Sequence, residues 1–201
     1  MANLQGRKAV TSLEGKMLIA MPGMSDPRFD RSVIFMCAHS ETGAMGIIIN
    51  KVTPLMSFGD LISQIDALPA GAIAKASPEV LNVAVQYGGP VEPARGFVLH
   101  SSDYFTADSS MPIGKHLALT ATLDVLKAML RGQGPQKAAI ALGYSGWAPG
   151  QLEDEIHRNG WLYCEADDTL LFGREHDLKY DHALRKIGVD PVMLSSDAGH
   201  A

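Results

Sequence analysis

The sequence predicts one compact α+β domain built on a mixed, mostly antiparallel sheet with three to four helices. Three observations lead there. Short apolar runs rich in Ile, Val and Phe, at 33–38 and 44–49 above all, are bounded by Pro, Gly and Asp punctuation, the mark of strands. Other segments space their apolar residues by three and four, the period of a helix with one buried stripe. The 201 residues are 46% hydrophobic and contain neither an internal repeat nor a low-complexity linker, so a single core suffices. Residues 15–201 are expected to form this domain, and residues 1–14, which lack the apolar stretch of a secretory signal, a flexible lead.

Taken in order, the segment 32–38 is apolar on both faces: Val33, Phe35 and Cys37 alternate with Ile34, Met36 and Ala38, as inside a covered sheet. The short loop Ser40-Glu41-Thr42-Gly43 then predicts a hairpin into 44–50. Phe58, Leu61, Ile62 and Ile65 predict a helix ending at Leu68-Pro69. The stretch 70–80 is weakly patterned and reads as a surface connection. Two strands follow, at 82–91 and 95–101, parted by Gly-Gly-Pro. A helix beginning at Thr120 or Thr122 buries Leu123, Leu126, Met129 and Leu130 and stops at Gly132. Residues 137–147 read as a strand running into a glycine-rich turn, and 148–160 as a helix with Pro149 in its first turn and Asn159-Gly160 at its end. Residues 161–173 read as two strands about an Asp167-Asp168 turn, 180–188 as a last short helix, and 192–201 as an irregular tail.

Several groups invite a chemical reading. Gly143-Tyr144-Ser145-Gly146-Trp147 follows a strand and precedes a helix, but the glycine two residues after the serine of a nucleophile elbow is replaced by Trp147, and no triad spacing follows. Gln151 and Glu155 share a helix face at i, i+4, beside Glu153 and Asp154; such carboxylates suit acid–base work or a divalent ion, or simply the positive end of a helix. His39 and His100 each close a strand-like run, where they could share a pocket or bond to nearby backbone. Arg31 and Asn50 flank the apolar strands, placed to anchor an anion or to close a turn. His176, Asp177, Asp181 and His182 lack metal-ligand spacing, and no phosphate or dinucleotide fingerprint occurs, so no metal and no cofactor is expected. Cys37 and Cys164 show no paired spacing, which favours a reducing, cytoplasmic setting.

Several strings in order, MPGMSDPRFDRSVIFMCAH, GAMGIIIN, GGPV, RGFVLHS, LGYSGWAPGQLEDEI, WLYCEADDTLLF and AGHA, resemble the bacterial YqgE/AlgH family over more than nine-tenths of the chain. The resemblance implies a compact cytosolic α+β domain without an established activity or cofactor, and a label of transcriptional regulator that some members carry. The polar positions matching the family pattern are Asp26, Arg31, Asn50, His100, Trp147, Gln151 and Glu155. Lys179-Tyr180 departs from it, since relatives commonly carry Arg-Trp there.

Charge bears on the partner. The net charge is −5; residues 1–100 hold 8 basic and 8 acidic groups and residues 101–201 hold 9 and 14, so the excess lies in the second half. DNA affinity rests on phosphate neutralisation by a basic patch, so direct duplex binding is not expected, and the acidic half is the expected face for a cation or basic protein. With apolar runs of about six residues against the ~20 a spanning helix needs, no membrane partner is expected. The expectation is a non-enzymatic binding or regulatory protein that meets a protein or small-molecule partner through Arg31, Asn50, His100, Gln151 and Glu155, with an indirect effect on transcription. The competing expectation is a hydrolase-like enzyme with a cleft near Asn50, His100 and 143–155.

Overall fold

A computed structural model describes residues 12–66, 71 and 73–190. Among these residues the chain forms ten strands and six α-helices. In order they are β1 (Lys16–Ala20), β2 (Val33–Ser40), β3 (Gly43–Ile48), β4 (Val52–Ser57), α1 (Phe58–Ser63), α2 (Pro78–Leu81), β5 (Ala84–Tyr87), β6 (Val91–Ser101), β7 (Ser110–Ile113), β8 (Leu117–Thr120), α3 (Leu123–Leu130), β9 (Ala138–Trp147), α4 (Gln151–His157), β10 (Trp161–Glu165), α5 (Asp168–Phe172) and α6 (Lys179–Lys186).

The strands form one mixed sheet in the order β10-β1-β2-β3-β9-β6-β8-β7, with β5 beside β9 and β4 beside β5. Every pairing is antiparallel except that of β5 with β9. The pivot is β9. One of its edges pairs with β6; the other pairs with β5 over Ile140–Leu142 and with β3 over Ser145–Trp147. At the change-over Gly143 takes a φ of +73°, and a Cβ there would lie 2.4 Å from the Gly89 carbonyl oxygen. Gly89 is equally confined, since its Cβ would fall 2.2 Å from the Tyr144 carbonyl carbon. Only glycine fits this crossing.

The apolar positions sort into three layers as the alternation predicts. Val33, Phe35 and Cys37 join Met17, Ile19, Phe97 and Leu99 in a central core capped by α5 and α6 through Leu170, Leu171, Tyr180 and Leu184. Ile34 and Met36, from the other face of β2, pack with Leu18, Trp147 and Trp161 beneath Leu152 of α4. On the far side of β5, β6 and β9, Val85, Val98 and Ile140 are covered by α1 and α3 through Phe58, Ile62, Val125 and Met129.

Four expectations need correction. The helices number six rather than three to four. Residues 168–172 are a helix, not a strand, because Asp167 accepts the Leu170 N–H at 2.9 Å and caps a turn that buries Leu170 and Leu171. The glycine-rich stretch 143–147 is no turn; β9 runs straight through it to Trp147. Pro149 lies outside the helix, ahead of the N-cap Gly150. In addition α2 lies in the stretch read as plain connection, started by Ser77 as N-cap and Pro78 at its first position. β4, β7 and β8 had no counterpart in the sequence reading. The helix predicted to run to Leu68-Pro69 instead ends at Ser63 with Gln64 as its C-cap; most of the lead and the tail 192–201 lie outside the described residues.

Candidate functional site

Two of the predicted residues build one constellation. Beyond β9 the chain turns through Ala148 and Pro149, and Gly150, at φ +77°, sets it into α4. Gln151 accepts the Ala148 N–H with its side-chain oxygen at 3.0 Å and donates from its amide to Glu155 Oε1 at 2.9 Å, one turn on. Glu155 Oε2 accepts two indole N–H groups, from Trp147 at the end of β9 (2.9 Å) and from Trp161 at the start of β10 (2.8 Å). The two indoles meet edge to face at 5.9 Å, and Phe29 adds a third ring at 5.7 Å from Trp161. Trp147 and Trp161 are 7% and 3% exposed, and the half-buried carboxylate between them ties the ends of two strands to α4.

This clamp forms one wall of an open cleft of about 520 Å³, whose other wall is the segment 21–29. Met21, Met24 and Phe29 give that wall an apolar surface, and Arg28 and Arg158 stand at the cleft with Asp26. Arg28 holds Asp26 in a fork, Nη2 to Oδ2 at 2.6 Å and Nε to Oδ1 at 3.0 Å, which keeps the Asp26 carboxyl below the usual carboxylate range. Arg158 has no ion pair among the described residues.

The remaining predicted residues do not line this cleft. Asn50 closes a turn: Oδ1 accepts the Val33 N–H at 2.7 Å and Nδ2 donates to the Arg31 carbonyl at 2.8 Å. Arg31, at φ +50°, bonds Asp181 at 2.9 Å and lies 4.5 Å over the Tyr180 ring, pinning α6 to the loop before β2. His100 is fully buried. Its Nδ1–H donates to the Ser101 carbonyl (3.0 Å), which leaves Nε2 to accept from Thr120 Oγ1 (2.8 Å), itself bonded to Ser110. Burial pushes the His100 pKa down and keeps the ring neutral. His39 shares no pocket with it. Its Nδ1 accepts the Leu13 N–H at 2.9 Å, so Nε2 carries the proton and donates to Glu153 at 2.9 Å. Ser145, fully buried in mid-strand, is no elbow nucleophile; its hydroxyl faces the Gly88 carbonyl at 3.5 Å. Several carboxylates of the second half are paired: Asp167 with Lys186 and Asp168 with Lys137 inside that half, and Glu165 with Lys16 and Asp181 with Arg31 from the first half, so part of the acidic excess remains. Among the described residues no three His, Cys, Asp or Glu groups are placed to hold a metal ion.

Sequence reasoning missed Trp161, Arg28 and Arg158 at the cleft. The WLYCE string marked Trp161 only as a strand residue, and nothing local announces that the segment 21–29 folds over α4.

The fold and this carboxylate-bridged pair of tryptophans define a class: single-domain α+β proteins on one strongly curled sheet. More specifically, the sequence pattern of the AlgH-like family, DUF179, matches residues 17–192, and the chain belongs to that family. A UPF0301 protein of Azorhizobium caulinodans is 57% identical over 189 residues, 94% of this chain and 92% of its own length. One from Nitrobacter hamburgensis is 55% identical, covering 94% of this chain and 88% of its own. The solution structure of AlgH from Pseudomonas aeruginosa superposes with a TM-score of 0.74 at 37% identity, covering 98% of this chain and all of that one. A crystal structure from Corynebacterium diphtheriae shares the fold at 19% identity and a TM-score of 0.67, over 94% of this chain and 92% of its own. No helix among the described residues is long and apolar enough to cross a membrane.

Proposed function

We propose that this chain is a non-enzymatic cytoplasmic binding protein that receives a protein segment or small molecule in the Trp147–Trp161 cleft, any effect on transcription being indirect. One observation carries the reading. Both oxygens of Glu155 are engaged by three hydrogen bonds from Trp147, Trp161 and Gln151, so its carboxylate holds the cleft wall rather than standing ready to move a proton. Arg158 remains at the mouth to meet an anionic group, above an apolar wall that suits an apolar body. Direct binding to duplex DNA is not part of this reading, because the net charge is −5 and opposes the phosphate neutralisation on which such binding rests.

The test is native mass spectrometry of protein purified from the cells that make it, alongside a broad hydrolase screen with and without divalent ions. A retained mass lost in Arg158→Ala, with no turnover, is the expected result. Turnover abolished by both His100→Ala and Glu155→Ala, in variants shown to be folded, would overturn it.

A further inference from the structure

The last residues of β9 lie in the middle of the sheet and yet have an open edge. β3 runs along one side of Ser145–Trp147, but on the other side β6 accompanies β9 only as far as Val91, opposite Tyr144. Before Val91 the chain leaves that lane: Gly88 bonds Ile48 and Leu142 on the side of β3 and β5, and Gly89 crosses the Tyr144 backbone. Gly146 is accordingly exposed, between Ser145 and Trp147, which are both buried. Its backbone faces the open side. The Trp147 carbonyl points to β3, where a Cβ on Gly43 would meet it at 2.6 Å, and the alternation of an antiparallel strand turns the N–H and C=O of Gly146 the other way. No turn, loop or side-chain bond reaches them among the described residues. Such an edge is a template for a further strand.

A cleft lies on each face of the sheet beside this edge. On one face is the Trp147–Trp161 cleft; on the other is an open groove of about 570 Å³, walled by Met45, Phe97 and Tyr144 of the central core. Val91, Gly146 and Trp147 line both, so the two meet at the edge. Successive side chains of a strand point to opposite faces. A strand laid beside Gly146 would therefore send neighbouring side chains into the two clefts while β9 held its backbone, the way sheet edges take up extended peptides. Charge selects among such segments. Arg95, bonded to Glu92 at 2.9 Å and 5.3 Å over the Phe97 ring, is the one charged residue lining the groove among the described residues. In the first cleft Asp26 is taken up by Arg28 and Glu155 by the two indoles, which leaves the Arg158 guanidinium without a carboxylate. In a chain of net charge −5, the cations along this edge call for an acidic partner.

We propose that the open edge of β9 at Gly146 receives an extended acidic protein segment as an added strand, with neighbouring apolar side chains in the two clefts and carboxylates at Arg158 and Arg95. This rests on the reading of the Trp147–Trp161 cleft as a binding site, and adds the form and charge of what binds there.

The probe is a capped hexapeptide with Leu-Phe at its centre and two Glu on either side. It is set against the same peptide flanked by Lys, and against two versions carrying a single N-methyl group on the Leu or on the Phe. In NMR spectra the Met21 and Met24 methyls report the first cleft, the Met45 methyl the groove and the Gly146 amide the edge. In the free protein the Gly146 amide should exchange faster than those of Ser145 and Trp147, which face β3. The acidic peptide should shift all three methyls and slow Gly146 exchange roughly tenfold or more at saturation. The Lys-flanked peptide should bind at least about fivefold more weakly. One of the N-methylated peptides should lose roughly tenfold in affinity and the other little, because only alternate residues turn their N–H to β9. Arg95→Ala, outside the first cleft, should weaken the acidic peptide about threefold. A peptide that moves Met21 and Met24 but neither Met45 nor the Gly146 amide would overturn the strand pairing and leave the cleft reading standing. Silence at every methyl would overturn it too, the cleft then being judged by the retained mass alone. A peptide-free dimer that already protects Gly146, seen by sedimentation, would give the edge to a second copy and overturn the proposal.

Discussion

Replacing Glu155 with Ala removes the acceptor for three hydrogen bonds and strands two indole N–H groups in a wall where Trp147 and Trp161 are almost fully covered. Hydrogen bonds to a charged group contribute about 1.5–3 kcal/mol each, and an unsatisfied buried donor costs about 1–3 kcal/mol. The bond from Gln151 is exposed and adds little. The two indole bonds together therefore set a destabilisation of about 3–5 kcal/mol. With a urea m-value of about 2–3 kcal/mol/M, this moves the unfolding midpoint down by roughly 1–2.5 M. Far-UV circular dichroism follows the transition, and Trp fluorescence reports the two indoles at once. Glu155→Gln keeps one oxygen able to accept both indoles but sets its amide against the amide of Gln151, so its loss should be smaller, about 1–2 kcal/mol. A Glu155→Ala protein within 1 kcal/mol of the parent, with an unchanged m-value, would refute the clamp.

Three further outcomes follow. Gly89→Ala, whose added methyl would press on the Tyr144 backbone, should cost at least about 3 kcal/mol or abolish folding, while Gly15→Ala, at φ +80° in open space, should cost only about 1–2 kcal/mol; thermal unfolding compares them. Lys179 is buried, donates to the Ile49 and Leu171 carbonyls, and has its pKa pushed down to about 8 by desolvation. The unfolded chain, titrating near 10.5, then binds more protons between pH 8 and 10.5, so this group's contribution to stability is greatest above that window and is lost as pH falls through 8. Relative to Lys179→Met, the parent should gain stability between pH 7.5 and 9.5, by at most about 3 kcal/mol, in urea unfolding at the two pH values; parallel curves would sink this. Fluorescence anisotropy with labelled duplex DNA should show no sub-micromolar, salt-dependent binding.

Much of the central architecture is legible because it depends on alternation and period. The two apolar faces of 33–38 name two of the three layers in advance, and the spacing of Leu123, Leu126, Met129 and Leu130 places α3 with its end at Gly132. What resists reading is short or ambiguous chemistry. β4 and β7 carry Pro54 and Pro112, which argue against strands unless a sheet edge is free to take them. Asp167-Asp168 serves equally well as a turn or as a helix start, and only the burial of Leu170 and Leu171 decides it. The string 143–147 mimics a turn because glycine signals conformational freedom without saying that the need for it is a close backbone crossing. For the candidate site, Gln151 and Glu155 are found by their helix spacing, whereas their partners are more distant: Trp161 opens another strand, and the segment 21–29 reaches the cleft from the far end of the chain. Asn50 and His100 stand out as polar residues beside apolar strands, and they are there to satisfy backbone and hydroxyl groups.

The claim that the cleft receives a partner without turning it over is tested most directly by following the Met21 and Met24 methyl resonances while the intact protein is titrated with a fragment and peptide library. The account predicts ligands that shift both methyls, lose affinity in Arg158→Ala and are recovered chemically unchanged. A ligand that is converted during the titration, or a library that leaves both methyls unmoved, would contradict it.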